Sequence, residues 1–142
     1  QREYRFKSPI WWYTDTNFLC GMLNKAIRSF DMESLTKMGF FIRNVHRQLE
    51  QLHYEQWNDN MTPFTVYRGQ GFFQRDFEHL LNIEGGFISF NNFLSTSKEK
   101  SAAMDFIQHE LNKFEDVIGV LFIMTIDPSK VSASTTPFAL ID

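Results

Sequence analysis

The sequence predicts an α+β fold, and three observations carry that expectation. Apolar residues recur at three- and four-residue steps through the first 57 positions, which is the spacing of one helix face. From position 64 the pattern changes to short runs rich in β-branched and aromatic residues, punctuated by glycine and short helical inserts, the signature of strands. Helices first and strands afterwards is the α+β order. The chain is thus read as a single domain over residues 1–142, with a helical part at 1–57 and a β-rich core at 64–142.

The totals bound what such a domain can be. A length of 142 residues suits one core, and a hydrophobic fraction of 43% argues against disorder. Sixteen phenylalanines imply an interior packed largely by aromatic rings. The net charge of −3 supplies no global positive field, so neither nucleic acid nor a membrane surface is expected as a partner. Cys20 is the single cysteine and cannot form an internal disulfide. With no signal peptide or apolar span, this predicts an intracellular, cytoplasmic protein. Both ends are abrupt, so a longer parent with further domains is expected.

The elements follow in order. Thr14-Asp15-Thr16 is a cluster of capping residues, and Phe18, Leu19, Met22, Leu23, Ala26, Ile27 and Phe30 behind it mark a helix face. Asp31 is placed to cap a second helix carrying Met32, Leu35, Met38, Ile42, Val45, Leu49 and Leu52. Gly39 weakens that helix and predicts a bend or a close helix contact. His46, Glu50 and His53 share a metal-like spacing, but no fourth ligand accompanies them, and they read as a solvated face. Asn58 to Pro63 is turn chemistry. Phe64 to Tyr67 reads as a strand, Gln74 to Leu81 as a short helix, and Phe87 to Phe90 and Phe93 to Ser97 as strands or strand ends. Ser97 would cap a helix bearing Ala103, Phe106, Ile107, Leu111 and Phe114. Val117 to Ile126 is the longest apolar β run and reads as a central strand buried on both faces.

Two features stand out. Tyr67-Arg68-Gly69 ends the first strand, with glycines at 69 and 71, and Ser95-Thr96-Ser97 ends another. Hydroxyls in a packed β region need partners, since an unpaired one costs about 1–3 kcal/mol. Arg68 alone is explained by a solvated strand end; the two features together are less easily dismissed. No third glycine opens a helix after Gly69 and Gly71, so a dinucleotide fingerprint of the Rossmann type is unsupported.

These elements resemble the mono-ADP-ribosyltransferases, in particular the eukaryotic arginine-specific branch with an Arg–Ser–Glu signature. Tyr67-Arg68-Gly69 is similar to the aromatic-Arg element, and Phe93 with Ser95-Thr96-Ser97 to the Ser-Thr-Ser element. Upstream, Tyr13-Thr14 with Asn24 and Arg28 is similar to the helical region of that branch, and Ile118 to Phe122 to the strand after the Ser-Thr-Ser helix. The resemblance implies a mixed-sheet, split-barrel core of the ADP-ribosyltransferase type. It also implies transfer of ADP-ribose from NAD to a protein side chain, arginine in that branch, with release of nicotinamide. NAD is then the substrate, no metal is required, and a protein acceptor is the second partner.

That chemistry passes through an oxocarbenium-like transition state. The resemblance assigns Arg68 to the pyrophosphate, where a planar, permanently charged fork suits paired hydrogen bonds. Gly69 would let the backbone approach the nicotinamide amide, and Ser95 would fix the catalytic carboxylate or the ribose. Tyr67, Asn92, Thr96, Ser97 and Tyr13 complete the implied NAD contacts. The family's Glu-x-Glu carboxylate pair, which would stabilise charge on the ribose and prepare the acceptor, has no counterpart here. No two glutamates stand two apart, and none lies beyond Glu115. The expectation is that the pair falls beyond Asp142, leaving residues 1–142 inactive alone. The alternative is a catalytically silent module that binds NAD, another nucleotide or a protein through the same cleft.

Overall fold

The structure, a computed structural model, describes residues 7–15, 21–23, 25–26, 31–56, 62–90, 92–131 and 137–141. The fold is α+β, with helices and an open two-stranded antiparallel sheet among the described residues. Its contacts gather into two compact units. One comprises Gln1–Met61, Asn91–Phe93 and Pro128–Asp142, the other Thr62–Phe90 and Leu94–Asp127.

The helical unit is built on α1, Pro9–Asp15, and α2, Met32–Gln56. Pro9 suits a first helical position because its missing N–H would be unpaired there in any case. Ser8 Oγ accepts the Trp11 N–H at 3.0 Å. This start lies upstream of the one expected at Thr14-Asp15-Thr16. Thr14 instead sits in the last turn of α1 and donates its hydroxyl back to Ile10 O at 3.0 Å. The helix predicted behind it lies mostly outside the described residues, Cys20, Asn24 and Arg28 included, although residues 21–23 and 25–26 are helical. Asp31 does cap α2, accepting the Ser34 amide at 3.2 Å and its hydroxyl at 2.6 Å. Ile10, Tyr13, Leu23, Met38, Phe41 and Val45 form the core, with Trp12, Ile42, Leu49, Leu52 and Phe93 packed against it.

Two readings of α2 need correction. A Cβ at Gly39 would meet nothing within 4 Å among the described residues, so of the bend and the close contact expected there, the close contact is not found. His53 is not on a solvated face: it is 2% exposed, its Nδ1 lies 2.8 Å from Phe138 O, and its ring packs edge-on against Phe138. Three residues on, the Gln56 side-chain amide donates to Leu140 O at 3.0 Å and accepts the Leu140 N–H at 2.8 Å. Side chains of α2 thus pair with alternate backbone positions of residues 137–141, much as a neighbouring strand would.

In the second unit, β1 is Phe64–Phe73, α3 Gln74–Leu81, α4 Lys100–Lys113 and β2 Val117–Ile126. β1 pairs antiparallel with β2, Arg68 opposite Phe122 and Gly71 opposite Gly119. β1 runs six residues past its expected end at Tyr67, through both glycines. The reason lies in α4. In an antiparallel pair, directly opposed residues share a face, as do residues two apart, so Gly69, Gly71 and Gly119 all lie on one side. A Cβ at Gly69 would strike the Ala103 carbonyl and Ile107, and one at Gly119 would strike Ile107. The glycines form a trough in which α4 beds, and Ala103 and Ile107 are its buried residues.

Other expectations for this unit fail. Phe87–Phe90 forms no strand, and the segment before α4 contributes only an isolated bridge at Ser97. β2 has the predicted bounds but is not buried on both faces: β1 is its single partner among the described residues, and Ile123 is 62% exposed. An uncharged run fixes neither how many strands flank it nor what covers it. Pro128–Lys130 follows as a 3₁₀ turn. Among the described residues no helix is long and apolar enough to cross a membrane.

Candidate functional site

The outer edge of β1, away from β2, brings the two singled-out motifs together. Tyr67 N–H donates to Ser97 O at 2.7 Å, and Ser97 N–H donates to Tyr67 O at 2.9 Å. That reciprocal pair lays residues 95–97 along the strand next to Arg68. The Arg68 side chain then crosses to this segment, and Nη1 donates to Ser95 O at 2.8 Å. On its other side Nε donates to Gln70 Oε1 at 3.4 Å.

A cavity of about 170 Å³ opens here, lined by Tyr67, Arg68, Gly69, Ser95, Thr96 and Ser97 together with Ala102, Ala103 and Phe106 of α4. It is smaller than the roughly 300–1,000 Å³ that encloses a drug-sized ligand, so it suits one ring or phosphate-sized group of a longer molecule. Its lining supplies one permanent cation, hydroxyls, two aromatic rings and small apolar surface. None of the described lining residues is a carboxylate. Such a wall can hold an anionic group beside a flat ring, whereas negative charge for a cationic transition state would have to come from outside these lining residues.

Six of the expected site residues therefore converge, though not always for the expected reason. Ser95 and Thr96 are exposed, so no burial cost demands partners for their hydroxyls, and the Ser95 contact to Arg68 uses its carbonyl. Ser97 is not the cap of α4. Glu99 holds that position without a side-chain bond, while Ser97 Oγ accepts the Glu99 N–H at 3.0 Å in a local turn. At Gly69 the space that a Cβ would fill is taken by α4, so helix packing already requires glycine.

Tyr13 and Asn92 belong to the helical unit. Tyr13 is buried in that core; its hydroxyl donates to Phe93 O at 3.4 Å and its ring meets Phe93 edge-on. Asn92 is half-buried at a bend. Thr135, Thr136 and Asp142, on the approach to the expected carboxylate pair, lie outside the described residues. His46 Nδ1 lies 3.5 Å from Glu50 on the exposed surface, and no three metal-ligating side chains gather among the described residues.

Sequence reasoning missed Gln70, Ala102, Ala103 and Phe106. Gln70 was detectable, because a residue two beyond Arg68 on a strand shares its face. The alanines carry a weaker signal, a small pair in a helix that must approach a glycine-bearing strand. No family model, curated protein or solved structure matches this chain.

Proposed function

We propose that this chain forms the NAD-binding part of a mono-ADP-ribosyltransferase, which moves ADP-ribose from NAD to a protein side chain, arginine by resemblance, and releases nicotinamide. The observation that carries this reading is the 2.8 Å bond from Arg68 Nη1 to Ser95 O, two residues that both line the cavity, since it joins two motifs 27 positions apart. In this reading the guanidinium takes the pyrophosphate, residues 95–97 border the ribose, and Tyr67 or Phe106 offers a ring against nicotinamide. The split-barrel core is part of the same proposal, supported by the order strand, hydroxyl segment, helix, strand.

The second reading is a silent module that binds NAD without cleaving it; the described residues of the cavity wall include no carboxylate. One pair of measurements separates the two. Titration with NAD should show saturable binding by wild type that weakens on Arg68→Lys, since lysine keeps the charge but loses the paired geometry. Nicotinamide release, measured on protein extended past Asp142, should fall in Arg68→Lys and Ser95→Ala if the domain is an enzyme, with the Michaelis constant for NAD raised in the former. Saturable binding without release establishes the silent module. No binding at all removes both readings.

A further inference from the structure

We infer that Arg68 and Ser97 act as ladder stops: their side chains capture the two backbone groups that would extend the pairing of residues 95–99 with β1, and the cavity beside them stays open as a result. This role needs no ligand and goes beyond the proposed function.

The pairing is antiparallel and consists of the reciprocal bonds between Tyr67 and Ser97, 2.7 and 2.9 Å long. Hydrogen-bonded pairs in such a ladder recur at every second residue, so the next ones would be Gly69 with Ser95 and Thr65 with Glu99. The direction of the backbone permits both. Tyr67 N–H and C=O point away from β2, and those of Thr65 and Gly69, two positions off on an unbroken register, point the same way. Neither pair forms, and the bridge stays isolated.

Side chains occupy the groups in question. Ser95 O, which would accept the Gly69 N–H, accepts Arg68 Nη1 instead at 2.8 Å. Glu99 N–H, which would donate to Thr65 O, goes to Ser97 Oγ at 3.0 Å. One stop thus stands at each end of the bridge. The consequence is steric. Paired strands lie about 4.8 Å apart, which leaves no room between Gly69 and Ser95, yet both line a cavity of about 170 Å³. The first stop holds that gap. It needs the single bond to Ser95 O, whatever other group the guanidinium also meets.

The test reads hydrogen bonds directly, as scalar couplings between donor nitrogen and acceptor carbonyl carbon in isotope-labelled protein. Wild type should show the coupling from Tyr67 N to the Ser97 carbonyl and none from Gly69 N to the Ser95 carbonyl. Arg68→Leu should keep the first and gain the second, with Gly69 amide exchange slowed about fivefold, the equivalent of one net hydrogen bond. A Gly69–Ser95 coupling already present in wild type overturns the inference, as does an Arg68→Leu variant that fails to gain it. Loss of the Tyr67–Ser97 coupling in Arg68→Leu would make Arg68 a clasp in place of a stop, and overturns it too. Ser97→Ala tests the other end separately: a new coupling from Thr65 N to the Glu99 carbonyl is expected, and its absence removes the second stop. All these outcomes are independent of NAD binding, so the proposed function stands or falls apart from them.

Discussion

Single residues here often serve a different element from the one their neighbours suggest. Gly69 sits between an aromatic-arginine pair and a cavity, which invites a ligand-binding role, but α4 already occupies the position of its missing side chain. Gly69→Ala should therefore cost about 1–3 kcal/mol by overpacking, seen as a lowered thermal midpoint without NAD present. A variant of unchanged stability would show that α4 does not need the trough. His53 makes the same point from the other side. Its spacing with His46 and Glu50 suits a wet helix face, yet it is buried and bonded to a backbone 85 positions away. Nothing in the local sequence announces so distant a partner.

Among the elements, α2 was the most legible, because Asp31 caps it and its apolar period is unbroken. The Ser34 hydroxyl, followed by the Ser34 amide, holds the Asp31 carboxyl below the usual carboxylate range. A depressed carboxyl stabilises the folded state above its unfolded value of about 3.9 and loses that contribution as pH falls through the lower folded value. Helix content should therefore decline in acid more steeply in wild type than in Asp31→Asn, by far-ultraviolet circular dichroism; parallel profiles would deny the cap its role. Packing on the same helix gives a second contrast. Phe41→Ala, in the core, should cost about 3–5 kcal/mol, and Met32→Ala, at a residue 69% exposed, under about 0.5 kcal/mol, both by chemical denaturation. Two segments were harder to place. β1 outran its expected end because glycine is a poor strand former only until a helix needs the room. Residues 87–90 stayed irregular because β propensity expresses a pleated, half-buried setting, and residues 84–89 are all exposed.

For the molecule as a whole, buried surface is unevenly divided. The helical unit holds the cluster of six buried core residues, while Val66, Ala103 and Ile107 are the buried hydrophobic residues described in the strand-bearing unit. Local opening is easiest where few apolar contacts must be broken. Amide exchange should accordingly be slower across Met38–Val45 than across β1 and β2; the reverse order would show that the sheet is covered in solution. β2 adds a liability of its own, a ten-residue strand with no charged side chain. Among the described residues β1 is its single partner, and an uncharged edge of that length favours pairing between molecules, so Ile123→Lys should reduce concentration-dependent aggregation in light scattering.

The fold class, the extent of α3 and β2 and the cap of α2 could be read from the residues alone, because these depend on periodicity and on groups within a few residues of each other. That α4 beds on three glycines, that His53 is enclosed against Phe138, and that Arg68 meets Ser95 and Gln70 along one strand edge emerged from packing. Those outcomes depend on register, on which residues stand opposite once β1 and β2 pair and α4 settles across them. A linear pattern shows which residues could line a face; packing decides what that face meets.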